Sequence, residues 1–168
     1  MPEAIKVYVR VVDRVNYVIG RFAMYLLFVM MGILLYSSIS KTFFNPSLWT
    51  LEMAQFTMVA YYILGGSYSM QQDSHVRMDL LYGSLSHKTR AAIDAVSVFF
   101  MIFYLVVLLY GGMSSTQYAL QYGETSYSAW SPYMAPIKII MTIGIFLMLL
   151  QALSMFFKDL AKARGENL

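Results

Sequence analysis

Histidine, the side chain most often recruited for proton transfer and metal ligation near neutral pH, occurs twice in this chain, at His75 and His87. Both fall in one connection between apolar runs. Haem ligation in a membrane anchor needs paired histidines well inside facing helices, so a bis-histidine haem is excluded. Around His75 lies the densest group of ionisable residues in the chain: Asp73, His75, Arg77 and Asp79, followed by Tyr82. Arg77 can fork onto a carboxylate, and Asp79 can cap or pair near the start of the next helical segment. The cluster reads either as a self-paired turn that fixes the angle between its flanking helices or as a docking point for a partner. Nothing around it points to catalysis: no Ser/His/Asp array, metal-ligand spacing, Gly-rich phosphate loop or pair of buried carboxylates is present.

Cysteine is absent, which removes disulfides, thiol catalysis and Cys-based metal or cluster sites. The fourteen methionines are spread over different apolar runs, as expected of gap-filling side chains rather than of a copper cluster. A self-sufficient small exporter would need a carboxylate embedded in the membrane to exchange protons and substrate. Glu52 is the one acidic residue within reach, and its place just after Trp49 puts it near a span end. No cofactor is expected in this chain.

The elements that hold these residues are hydrophobic. Apolar residues make up 59% of the chain and charged residues 12%, well outside the range of an ordinary soluble domain. Four uncharged runs stand out: Phe22–Ser40, Met53–Gln72, Ala95–Gly123 and Ile139–Phe157. A helix needs about 20 mostly apolar residues to cross the hydrocarbon core. The expected fold is an all-α membrane protein with four transmembrane helices in a single domain. Its parts are an amphipathic helix (3–19), a first span (20–41), a second span (50–72), a cytoplasmic loop (73–90), a third span (91–118), a periplasmic connection (119–135), a fourth span (136–158) and a cytoplasmic tail (159–168).

Basic residues orient it. Lys6, Arg10, Arg14, Arg21, Arg77, Lys88, Arg90, Lys158, Lys162 and Arg164 fall on one side, and only Lys41 and Lys138 on the other. By the positive-inside rule both termini are cytoplasmic. Bilayer topology accounts for the net charge of +3, and nucleic acid is not an expected partner. No cleavable signal peptide is expected, because the first run is long, starts late and lacks an A-x-A-type site.

Within Glu3–Ile19, Ile5, Tyr8, Val12, Val15 and Ile19 line one face, while Lys6, Arg10, Asp13 and Arg14 gather opposite. This segment either lies along the cytoplasmic interface or simply extends the first span. Pro46 ends the first helix, Trp49 starts the second, and Glu52 sits in its first turn. The pairs Gly65/Ser69, Gly111/Ser115 and Gly112/Thr116 permit close helix contact, within the chain or with a partner. Ala95–Gly123 would reach roughly 44 Å as one helix, so it is either a long tilted helix or one broken near Gly111-Gly112. Ser86 is a candidate cap for the segment that leads into it, and Asp94 lies near the membrane edge.

Several of these residues carry a resemblance. Phe44-Asn45-Pro46, Trp49, Glu52, Gly65-Gly66, His75-Val76-Arg77-x-Asp79, Tyr82 and Ala92-x-Asp94 resemble the DctQ-like small membrane subunit of tripartite ATP-independent periplasmic (TRAP) transporters. Glu124-x-Ser126-x-Ser128-x-Trp130-Ser131-Pro132, Pro136-x-Lys138 and Leu150-Gln151 are similar to that family's third connection and fourth span. The likeness covers roughly Phe43–Gln151 and implies a multi-pass protein of the bacterial inner membrane.

It further implies a non-catalytic partner of a large elevator-type membrane subunit, which carries the substrate and sodium sites, with a periplasmic binding protein delivering an organic acid. The small subunit would act as a scaffold and offer some docking surface. Trp49, Glu52, His75, Arg77, Asp79, Asp94 and Lys138 are then the candidate structural or partner contacts. The runner-up is the self-sufficient four-span transporter acting as a homo-oligomer.

Overall fold

Forty-one consecutive residues, Glu3–Phe43, form one uninterrupted helix, α1, in the computed structural model, which describes residues 3–72 and 87–163. Side chains are described for 3–72, 97–158, 160 and 161. The amphipathic segment is therefore the helical extension of the first apolar run, not a separate piece turned away from it. Its inward stripe is Val9, Val12, Asn16, Gly20 and Ala23, all buried, whereas Val15 is exposed. Asp13 belongs with that stripe rather than with the wet face, because it follows Val9 by four positions and precedes Asn16 by three. The two-sided pattern expected of Glu3–Ile19 therefore fails at Val15, which faces out, and at Asp13, which faces in.

α1 stops where the residue before Pro46 can no longer adopt helical angles. The Phe44 amide and the Ser40 hydroxyl close its end, bonding Ser40 O at 2.9 Å and Asn45 O at 2.8 Å respectively. α2 (Thr50–Gln71) opens at Trp49, whose side chain makes no capping bond. Hydroxyls of neighbouring residues gather there instead: Thr50 Oγ1 bonds Ser37 Oγ of α1 at 3.1 Å and shares a hydrogen with Ser47 Oγ at 3.0 Å.

α3 (His87–Tyr122) passes through Gly111-Gly112 without a break. It ends at Gly123, whose φ of 61° lies in the left-handed region that glycine tolerates. The following connection folds back on itself through Ser126 N to Pro132 O and Met134 N to Glu124 O, both 2.9 Å. α4 (Ala135–Ala163) carries Pro136 in its first turn, where the lost amide would have had no helical partner.

α1, α2 and α4 pack against one another, and α3 leans on α4. Met70, Leu105, Ile145 and Ala152 from α2, α3 and α4 form the buried apolar cluster. The tightest crossings have no room for a side chain: a Cβ at Gly20 would stand 2.2 Å from Tyr68 Cβ, and one at Gly144 2.1 Å from Ile63 Cγ2. The outward faces of α1 and α3 are apolar, with Phe22, Phe28, Leu35, Phe99, Phe103 and Tyr110 all more than half exposed. Among the described residues, three helices are long and apolar enough to cross a membrane: α1, Ser97–Tyr122 and Ala135–Lys158. α2 is not among them, since Glu52, Gln55, three tyrosines and two serines dilute it.

Candidate functional site

The polar side chains of the bundle collect in two layers, one at each end. At the first, α1 donates Asp13 and Asn16, α2 Gln71, and α4 Gln151, Ser154 and Lys158. Asp13 is the hub. Its Oδ2 accepts from Lys158 Nζ at 2.6 Å, and its Oδ1 from Gln151 Nε2 at 3.1 Å and Ser154 Oγ at 3.4 Å. Its backbone carbonyl accepts from Gln71 Nε2 at 3.1 Å. Gln151 Oε1 in turn accepts from Asn16 Nδ2 at 2.6 Å. Asn16, Gln151 and Ser154 are fully buried.

Buried amides are costly unless paired, so these bonds tie three helices at one level. Tyr8 adds a bond from its hydroxyl to Leu150 O at 3.1 Å, and its ring packs edge-on against Phe157. Sequence reasoning missed this layer. The legible signals were Gln151, the lone amide inside an apolar run, and Asn16, set among small and branched residues on the inward stripe of α1.

At the other end the third connection folds over α2. Glu52 is 5% exposed, accepts from Ser126 Oγ at 3.2 Å through Oε1, and leaves Oε2 without a partner. Lys138 pairs with Glu124 across the turn into α4. Thr116 of α3 meets Thr142 of α4 at 2.9 Å, and both hydroxyls bond Lys138 O. Gly112 packs beside Thr142, so the Gly112/Thr116 pair serves contact within the chain, while Ser115 is exposed and Gly111 faces open space. Trp49 stacks on Tyr36 of α1 with ring centres 5.7 Å apart.

Of the residues singled out from sequence, Trp49, Glu52 and Lys138 thus share this layer, although each has a different neighbour. His75, Arg77 and Asp79 lie outside the described residues. Asp94 lies in α3, and its side chain also falls outside them.

The outer limits of the two layers are about a hydrocarbon thickness apart. Lys138 and Lys158 stand twenty positions apart on α4, roughly 30 Å of helix, which matches the hydrocarbon thickness. Thr50 and Gln71 bracket nearly the same length of α2. The model of the family described as tripartite ATP-independent periplasmic transporters, DctQ component, matches residues 30–162. The chain belongs to that DctQ family. It is an integral inner-membrane protein and a transporter component, not an enzyme. No curated protein matches it. The DctQ match takes in Gln151, Ser154 and Lys158 but begins after Asp13 and Asn16, so the α1 half of the first polar layer lies outside the matched segment.

Proposed function

We propose that this DctQ-family protein is the small, non-catalytic permease subunit of a sodium-coupled TRAP transporter for organic acids. It crosses the membrane four times with both termini in the cytoplasm, and holds a large elevator-type subunit in place. One observation carries the reading: among the described residues, every ionised or amide group that bonds across the helices lies in one of two layers, whose outermost members Lys138 and Lys158 stand roughly 30 Å apart on α4. A sodium or substrate path would need oxygen ligands or ionisable groups at mid-depth. Between these layers the helices meet through Gly20, Ile63, Gly66, Gly144 and Met148 instead. Such packing suits a rigid frame.

The four-span count draws support from α2, which runs between the same two layers as α4 despite its lower hydropathy. Its enclosure by α1 and α4 explains why it tolerates more polar residues than a span facing lipid. On this reading Trp49, Glu52 and Lys138 set the outer ends of the helices. His75, Arg77, Asp79 and Asp94 serve the cytoplasmic side, toward the large subunit or toward one another. The periplasmic connection, with Tyr127, Trp130 and Tyr133 exposed, is the surface on offer to a periplasmic binding protein.

Co-expression with a tagged large subunit tests the proposal. The two should co-purify, and liposomes holding both should accumulate organic acid down a sodium gradient when the binding protein is added. Liposomes holding this chain alone should not. Sodium- or proton-driven flux through the isolated chain would refute the scaffold role.

A further inference from the structure

Between α1 and α2, open at the protein surface, lies a furrow of about 440 Å³ lined by Gly20, Ala23, Met24, Tyr62, Gly65 and Met148 among others. Along α2 it reaches from Ser69 to Tyr61, eight positions or roughly 12 Å. Gly20 and Gly66 are shut by Tyr68 and Met148, but the Cβ position of Gly65 meets nothing within 4 Å.

The furrow has a charged mouth. Arg10, Arg14, Tyr17, Arg21 and Met24 recur at i, i+4, i+7, i+11 and i+14, which is one stripe along α1, and all five are exposed. Met24 is at once the end of this stripe and part of the furrow wall. Arg21 is held in place: its Nη1 donates to Tyr17 OH at 3.0 Å, and its guanidinium lies 6.0 Å from that ring. Tyr17 leans on Tyr68, a lining residue, with centroids 5.9 Å apart. One of the five guanidinium donors is thereby engaged. Among the described residues no carboxylate pairs with Arg10, Arg14 or Arg21, and Asp13 is turned toward Lys158.

We infer that this furrow binds an anionic glycerophospholipid, with its phosphate on Arg21, Arg14 behind it, and one acyl chain laid over Gly65. A phosphate supplies the charge that the arginine stripe lacks and matches the planar guanidinium fork. The linked chain would lie along the slot that runs from Tyr68 to Tyr61, one end of which adjoins the arginine stripe at Met24. Lipid is favoured over a partner helix by the continuity of the charged stripe with the slot, because a helix seated on Gly65 would have to carry carboxylates beside its own apolar face. The inference requires only that the chain lies in a membrane and stands apart from its role in transport.

The test uses the full-length chain purified in mild detergent, exchanged with phosphatidylglycerol or phosphatidylcholine, and weighed by native mass spectrometry. The wild type should retain phosphatidylglycerol roughly tenfold better than phosphatidylcholine, the factor expected of one good ionic contact. Arg21→Gln, an exposed change that leaves the fold alone, should erase that preference. Gly65→Leu, which enters open space, should lower retention of both lipids with the melting temperature unchanged. Equal retention by wild type and Gly65→Leu, or an undiminished headgroup preference in Arg21→Gln, overturns the inference. So does a Gly65→Leu variant that loses the large subunit while keeping its lipid, since the furrow would then be a helix seat.

Discussion

Gln151 can hold only one orientation. Asp13 needs donors, so the Gln151 amide nitrogen faces it, the Gln151 oxygen faces Asn16, and Asn16 must present its own nitrogen. The chain of obligations ends on Asn16 Oδ1, which is buried with no protein partner. Cutting the chain in the middle is worse than removing it. Gln151→Leu strands the Asn16 amide and takes a donor from Asp13, so a loss of about 1–3 kcal/mol is expected in a denaturant or thermal melt. Adding Asn16→Leu removes the stranded group, and the double variant should recover part of that loss. Strictly additive losses would mean that the amide pair is not coupled. Glu52 is a contrasting case, since its single bond comes from Ser126 and survives in Glu52→Gln. That variant should stay within about 1 kcal/mol of wild type and keep full transport in the assembled complex. A proton-coupled flux through the isolated chain that Glu52→Gln abolishes would instead favour the self-sufficient transporter.

The tightest helix crossings depend on single glycines, Gly20 and Gly144, rather than on spaced pairs. Gly144 makes the case: its absent side chain is filled by Ile63, with Ile63 Cγ2 at 2.1 Å and the Ile63 carbonyl carbon at 3.3 Å from the Cβ position. Gly144→Ala should force α2 from α4 and cost about 1–3 kcal/mol, as overpacking does. Ile63→Ala in the same chain removes the offending methyl and should restore part of the melting temperature. Gly111→Ala, which meets nothing within 4 Å, should be nearly neutral. Failure of the Ile63 change to rescue would place the damage elsewhere. The same comparison shows what the sequence could disclose. Four helices were legible, because hydropathy and Pro46 act locally, but the third, expected over 91–118, runs from His87 to Tyr122, and the fourth, expected to end at 158, runs to Ala163. Gly20 and Gly144 were not legible, because each has a large or polar residue four positions away on either side and so forms no small-xxx-small pair. The continuity of α1 was equally undecidable from its pattern, as an interfacial helix and a helical extension share the same periodicity. Asp13 was misassigned for a related reason. A carboxylate among arginines looks solvated until the neighbouring helix supplies Lys158, Gln151 and Ser154.

Taken whole, the molecule has two polar ends and a neutral middle, and the start of α1, the end of α2 and the end of α4 meet at one of those ends. Which end faces the cytoplasm is an electrostatic matter. Arg10, Arg14 and Arg21 lie toward the Asp13 layer, while the Glu52 layer holds Lys138 already paired with Glu124. Translocating the arginine-rich end would move several cations through hydrocarbon, so the Asp13 layer is expected on the inside. The absence of native cysteine makes this directly measurable. A single cysteine at Ser128, in the connection that covers Glu52, should react with a membrane-impermeant maleimide in cells whose outer membrane has been opened. One placed at Glu166 should react only after the inner membrane is lysed. Labelling in the reverse order would invert the topology and put the arginine stripe, together with the lipid furrow it leads into, on the periplasmic leaflet. Labelling of both sites with the inner membrane intact would put residues 128 and 166 on one side, so that α4, the one span expected between them, would not cross, and the four-span arrangement would fail.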